Sequence, residues 1–582
     1  MPAWLAASSL AWPGAAAAQT QPVAPTREEV TRPAPPSVQQ PRSQLEVEGG
    51  IERAPCALDN PEFRDIRFTL RAVEFDGLRE MRPDALVGAY ASLVGQEQPV
   101  SMICEVRDRA ATILRQAGYI ASVEVPEQRI ADGTVRFRVL MARLVDVRVS
   151  GDAAGAERPL AAYLGKLKQQ PVFNRYEAER YLLLANDLPG YNVRLTLRPA
   201  GTAPGEVIGD VTVLRAPPLV DANVQNYGSK DLGRWGGLLR AQVFGLMGLG
   251  DHTTAAVFTT SDLEEQQTIQ LGHSMRLGPE GLTATGAFTY AWAQPSIGDD
   301  SDVRARTMLA TAEVGYPFVL RQSHNIRGSI GLDVINQDVE VDDIDLTRDR
   351  LRVAFLRLTA DAVADDRSLT GSALAEPVWR MSGLVELRRG LDILGASESC
   401  GEDGEECLGE GNVPPSRIEG DATATVLRGN VYGEFRPLPK LTLALGARAQ
   451  LASEPLMSFE EFSAGNYTVG RGYDPGSLLG DRGIGAQAEI RIGSVVQTSS
   501  KPAWEGYVFF DYARISNRDR LFVDASSRDL SSAGAGVRVS FDRFSFDTAL
   551  AIPMQRVGLL DKKPDPRLLF SLTTRLWPWS FK

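Results

Sequence analysis

The chain has 582 residues, 43% hydrophobic and 23% charged, with a formal net charge of −12, which suits a large barrel plus one or two small domains. The acidic balance and the lack of a Lys/Arg run exclude nucleic acid as the main partner. No stretch of about 18 uncharged apolar residues follows the N-terminus, which excludes spanning helices but not spanning strands of about 9–11 residues.

Residues 1–18 read as an export signal: Leu5 to Ala18 is small and apolar, and Ala16-Ala17-Ala18 before Gln19 fits a signal-peptidase site. Met1-Pro2-Ala3-Trp4 carries no basic residue, so the true start is expected upstream. Residues 19–60, rich in Pro, Gln and Glu, read as a flexible linker with a short helix around Arg27–Arg32.

Residues 61–143 form the first folded unit. Arg67–Phe75 alternates as a strand and ends at Asp76-Gly77. Pro83–Val94, with Leu86, Ala89, Tyr90 and Leu93, has helical spacing. Ser101–Ala117 carries Ile103, Val106, Ala110, Ile113 and Leu114 on one helical face and stops at Gly118. Ala121–Val125 and Thr134–Leu144 read as strands. Cys56 and Cys104 are placed to staple the entry to this unit onto its second helix; zinc is the competing reading, but no further His or Cys lies nearby. The order β-α-α-β-β recurs in residues 144–217, with strand Leu144–Val149, helices Pro159–Leu167 and Arg175–Leu184, and strands Tyr191–Pro199 and Glu206–Arg215. This is a tandem repeat of about 75 residues. Each three-stranded sheet would leave an edge open to a partner.

Beyond Ala216-Pro217-Pro218, residues 218–582 lose the helical period and alternate with period two. Lys440–Leu451 sets Leu441, Leu443, Leu445, Ala447, Ala449 and Leu451 against Thr442, Ala444, Gly446, Arg448 and Gln450. Gly534–Asp542 and Leu568–Trp577 behave alike. One apolar face and one small or charged face over such lengths point to a transmembrane β-barrel. About 365 residues, at roughly 20–25 per strand and turn, predict a sixteen-stranded one. The fold class is mostly β with an α+β arm.

Nothing here assembles a catalytic centre. His252, His273 and His324 are scattered, with no Cys or Glu at ligand spacing, so no metal, cofactor or enzymatic activity is implied. Cys400 and Cys407 sit in the acidic, Gly-rich stretch Glu398–Gly411, an exposed loop that a disulfide would close. Gly480, Gly483 and Gly485 resemble a scrambled phosphate loop, but without a βαβ context they read as hairpin glycines.

Thr468-Val469-Gly470-Arg471-Gly472-Tyr473-Asp474-Pro475-Gly476 stands out as a long loop between two strands, its tip shaped by Gly470 and Gly472. Folded into the lumen, Arg471 would need an anion. In Val508-Phe509-Phe510-Asp511-Tyr512 the apolar face takes Val508, Phe510 and Tyr512. Phe509, Asp511 and Ala513 then point inward, and Asp511 can accept a bidentate guanidinium bond. On residues alone, two unrelated surface charges remain the alternative.

Gly470-Arg471-Gly472-Tyr473 resembles the [VI]RGY signature in the sixth loop of two-partner secretion transporters, the haemolysin activator/secretion proteins or TpsB of the outer-membrane insertase superfamily. Gly470 stands where that family has Val or Ile, and Phe509-Phe510-Asp511 looks like its F-x-D strand motif, whose Asp pairs with the loop Arg. The resemblance covers signal, linker, two POTRA-like units and a sixteen-stranded barrel. It implies a monomeric pore in outer-membrane lipid, with its N-terminal units in the periplasm. The partner implied is an unfolded, secreted β-helical exoprotein of the TpsA type. An outer-membrane insertase and a passive porin or receptor are the alternatives.

Overall fold

The computed structural model describes residues 24–31, 45–47, 56, 58, 60–63, 65–130, 132–296, 302–364, 376–401, 405–409, 411–497, 501–518, 528–557 and 563–578. The expected signal segment lies outside them, as does most of the expected linker.

Residues 219–577 close into a sixteen-stranded antiparallel barrel. Its first strand, Leu219–Gln225, pairs with its last, Arg567–Trp577, and their register runs from Val220↔Trp577 to Gln225↔Ser571. The wall is inside out compared with a soluble sheet. On the eleventh strand, Leu441–Ala452, Leu445 is 66% exposed while Gln450 is 2% exposed. An outward apolar band with a polar interior is stable only where hydrocarbon meets the outer face.

The first repeat builds a sheet in the order Ala72–Asp76, Thr134–Met141, Ala121–Glu124, covered by the helix Met102–Gln116. Three expectations change here. Arg67–Phe75 is not one strand: Leu70 turns into the core, Arg67–Thr69 pairs with Glu97–Pro99 in a separate ribbon, and only Ala72–Asp76 joins the sheet. Pro83–Val94 is not an α-helix but two 3₁₀ segments, Pro83–Ala89 and Ala91–Leu93. The buried pair Leu86 and Ala89 is spaced i, i+3, which a 3₁₀ turn stacks on one edge. Thr134–Leu144 breaks at buried Ala142, whose N–H donates to Ile120 O (2.8 Å) and whose carbonyl accepts from Phe173 N (2.7 Å). That break is the joint between the repeats.

The second repeat has helices Glu157–Lys168 and Arg175–Asn186, the latter capped by Asn174, whose side chain accepts from Tyr176 N. Its sheet is four-stranded rather than three-stranded. Leu45–Val47, from the expected linker, pairs in parallel with Tyr191–Pro199, which pairs in turn with Glu206–Arg215 and that with Arg143–Gly151. The core around Leu160, Tyr163 and Leu183 continues into Phe244 and Leu320 of the barrel. Arg180 donates to Tyr316 Oη and Pro317 O (both 3.1 Å), and Asp187 pairs with Arg327. The second repeat is thereby fastened to the strand ends of one barrel rim.

Cys56 is bonded to Cys104 and Cys400 to Cys407, so the first bond ties the chain entering the first repeat to its helix.

Candidate functional site in the barrel lumen

Among the described residues, two segments that enter the lumen meet at one set of charges. One is the helix Arg27–Thr31, which the linker reading anticipated as a helix but not in this place. Thr26 and Glu29 form a capping box: the Thr26 N–H donates to Glu29 Oε2 (2.9 Å) and the Glu29 N–H to Thr26 Oγ1 (3.3 Å). That exchange lets a helix of five residues persist, although isolated helices so short are unstable. Val30 is fully buried against Leu309, Ile335 and Leu351 of the wall. Arg27 pairs with Glu460 (3.1 Å) and Glu28 with Arg448 (3.0 Å).

The other segment is the loop of residues 453–481 between the eleventh and twelfth strands, which folds inward around the short hairpin Phe462–Ala464 with Leu478–Gly480. Gly483 and Gly485 are not hairpin glycines: both lie within the twelfth strand, Arg482–Gly493. A Cβ on Gly483 would overlap the Phe462 ring, and one on Gly485 would sit 3.0 Å from Val469, so these positions let the loop lie flat on the wall. Gly480 belongs to the loop's hairpin and is pressed against Ile515.

At the loop tip, Arg471 reaches Asp511 on the thirteenth strand, Ala503–Ser516. Nε donates to Oδ2 (3.0 Å), Nη2 to Oδ1 (2.6 Å) and the Arg471 backbone N–H to Oδ2 (2.9 Å). Asp511 is fully buried and also accepts from Ser532 Oγ (3.2 Å). The guanidinium lies 3.7 Å over the ring of Phe509, so Phe509 supplies a π-face and Asp511 a fork. Their spacing of two follows from strand alternation, which turns both to the lumen. Gly470 has φ +116°, a backbone closed to side chains, and a Cβ on Gly472 would lie 2.9 Å from Pro553 N. Tyr473 is fully buried, its hydroxyl donating to Ser531 O (3.0 Å) and accepting from Gln555 N (2.9 Å).

Sequence reasoning missed Glu489. It bonds Arg471 Nη1 and also takes Arg491 (2.7 Å) and Arg538 (3.2 Å), joining the loop to a ladder of charges down the wall. The alternation of Ile484, Ala486, Ala488 and Ile490 against Gly485, Gln487, Glu489 and Arg491 carried the signal, since it turns Glu489 inward. A second network lies around the fully buried Arg388. It pairs with Asp333 (2.9 Å), Glu386 (3.1 Å) and Glu460 (2.8 Å), and Glu460 also holds Arg27 and Arg428. The loop and the N-terminal helix are thus seated by one set of charges.

The histidines take no part. His252 is bonded to Gln242 and His273 to Thr253, while His324 lies beside Ser323.

Residues 213–539 match the family model for haemolysin secretion/activation protein ShlB/FhaC/HecB, and residues 68–141 match the ShlB-type POTRA domain. CdiB from Escherichia coli superposes with a TM-score of 0.72 at 15% identity, covering 90% of this chain and 94% of its own. CdiB from Acinetobacter baumannii gives 0.62 at 15%, covering 92% and 94%. No curated protein matches in sequence. At such identity the solved structures speak to fold alone. The family model spans more than half of the 582 residues, and the chain belongs to the ShlB/FhaC/HecB family of haemolysin secretion/activation proteins, outer-membrane β-barrel transporters with POTRA repeats in the periplasm.

Proposed function

We propose that this transporter captures an unfolded, secreted β-helical exoprotein with its periplasmic repeats and passes it through the lumen to the cell surface, working as a monomeric pore in outer-membrane lipid. The observation that carries this reading is the lumenal loop pinned through Arg471 to Asp511, Phe509 and Glu489. Such a loop is a removable filling for a polar passage. A passive porin has no use for two repeats fastened beneath its rim.

Capture by strand addition needs an open sheet edge. In the second repeat the edge strand Tyr191–Pro199 is already covered by Leu45–Val47. Among the described residues, Ala121–Glu124 and Ala72–Asp76 in the first repeat and Arg143–Gly151 in the second each pair on one side only. The exported chain is therefore expected to bind at one of these edges or to displace Leu45–Val47. Replacing Glu46 and Val47 together by Pro removes adjacent backbone donors and weakens the covering strand whichever parity it uses. Where displacement of Leu45–Val47 is the route, the double variant of the full-length protein is expected to bind the unfolded N-terminal region of the exoprotein several-fold more tightly than wild type, and unchanged affinity assigns binding to the open edges. Fluorescence titration against unfolded and folded forms measures this. If neither protein binds the unfolded chain while the barrel still conducts ions, the porin reading replaces this one.

A further inference from the structure

The loop has a second anchorage, which the Arg471 site does not explain. Asp474 pairs with Arg567 (2.7 Å) and Arg234 (3.0 Å) and accepts from the backbone N–H of Lys230 (3.3 Å). Arg567 is the first residue of the last strand and is 9% exposed. It donates Nη1 to Tyr473 O (2.8 Å) and Nη2 to Gly228 O (3.1 Å). Gly228 lies just beyond the first strand, Leu219–Gln225. One guanidinium on the last strand therefore touches both the loop and the continuation of the first strand. Asn466 of the loop adds a bond from Nδ2 to Tyr227 O (3.0 Å).

This contact falls at the junction that closes the barrel. Other neighbouring strands are consecutive in the chain, whereas first and last meet only after the whole barrel has been traversed, which makes their pairing the most demanding loop closure. Their ladder slips register between Val220 and Asp221 at one end and stops at Gln225↔Ser571 at the other. One further backbone bond follows, from Asn226 N to Phe570 O (3.2 Å), and beyond it side chains take over. Asn226 Nδ2 donates to Leu568 O (2.8 Å), Phe570 N donates to Asn226 Oδ1 (2.8 Å), and the Arg567–Asp474–Gly228 cluster follows.

We propose that Asp474 and Arg567 are positioning residues that brace the seam between first and last strands through the lumenal loop, so that a loop leaving its seat also loosens the seam. The inference concerns the same loop as the export reading but needs no exported chain. Arg471 fixes the loop to the thirteenth strand; Asp474 fixes it to the last strand and to the turn that leads out of the first.

The test is amide hydrogen exchange, followed by mass spectrometry, on the full-length protein in detergent micelles. In Arg567→Gln, and independently in Asp474→Asn, which keeps the side-chain shape, segments 219–228 and 567–577 are expected to exchange about tenfold faster, together with loop residues 466–476. Val303–Leu320 and His324–Val341, a consecutive pair far from the seam, should keep their wild-type rates. Arg567→Lys retains the charge for Asp474 but not the fork to Gly228 and should fall between. Unchanged seam exchange in both variants, or a rise shared equally by the control strands, overturns the proposal. Lost export with unchanged seam exchange would overturn the brace and leave the export reading standing.

Discussion

Arg471→Ala is expected to reduce secretion to background while the barrel still inserts into the outer membrane. The substitution removes the guanidinium that fills both oxygens of Asp511, caps the Phe509 ring and bonds Glu489. Asp511 is fully buried and would keep only Ser532 and the backbone N–H of residue 471. Leaving one member of a buried ion pair unmatched costs about 3–5 kcal/mol, less where lumenal water reaches the survivor. The barrel's ladders do not depend on this contact, so the loss falls on the position of the loop. Arg471→Lys should be nearly as impaired, because an ammonium cannot fork onto the carboxylate or lie flat on the ring. Secreted protein in the medium, beside the heat-modifiable mobility of the folded barrel, measures both halves. Wild-type secretion by Arg471→Ala would show that the loop contact is dispensable.

A second large effect is expected at Arg388, where Arg388→Met should open the pore. Its guanidinium is fully buried and pairs with Asp333, Glu386 and Glu460. Methionine fills much of the volume but leaves these carboxylates to share Arg27, Arg357 and Arg428. At about 3–5 kcal/mol for breaking the buried Arg388–Glu460 pair, the seated state of the loop should lose upward of about 100-fold in occupancy, while Arg27 keeps its hold on Asp333 and Glu460. In planar bilayers the variant should show frequent large openings where wild type is mostly closed. Wild-type conductance would mean that the loop is held by its other contacts.

Much of this architecture was legible because β-barrels and helices write their periods into the chain. The Leu441–Ala452 alternation and the helical face of Met102–Gln116 are long enough to read unaided. The pairing of Arg471 with Asp511 was legible for a different reason: an arginine between glycines and an inward carboxylate on an apolar strand each lack a local partner. Glu489 was harder, since it is one of several inward polar positions on its strand, and only barrel closure decides which of them meets the loop. Leu45–Val47 is too short to show any period, and its pairing with Tyr191–Pro199 joins positions about 150 residues apart. Arg27–Thr31 carried its capping box openly, but its seat depends on charges contributed by a distant strand and by the lumenal loop. Gly483 and Gly485 were misread because close packing of the loop against the wall exists only once the loop has folded inward.

Export by this barrel is measured by producing the chain in a bacterial host that lacks it, together with a candidate exoprotein, a secreted β-helical protein from the same genome. The measurement is the fraction of exoprotein that added protease can reach on intact cells or that appears in the medium. Surface or released exoprotein is expected with the wild-type chain, and periplasmic retention without it or with Arg471→Ala. Exoprotein that reaches the surface equally well in the absence of the chain, or that stays in the periplasm in its presence, would contradict it.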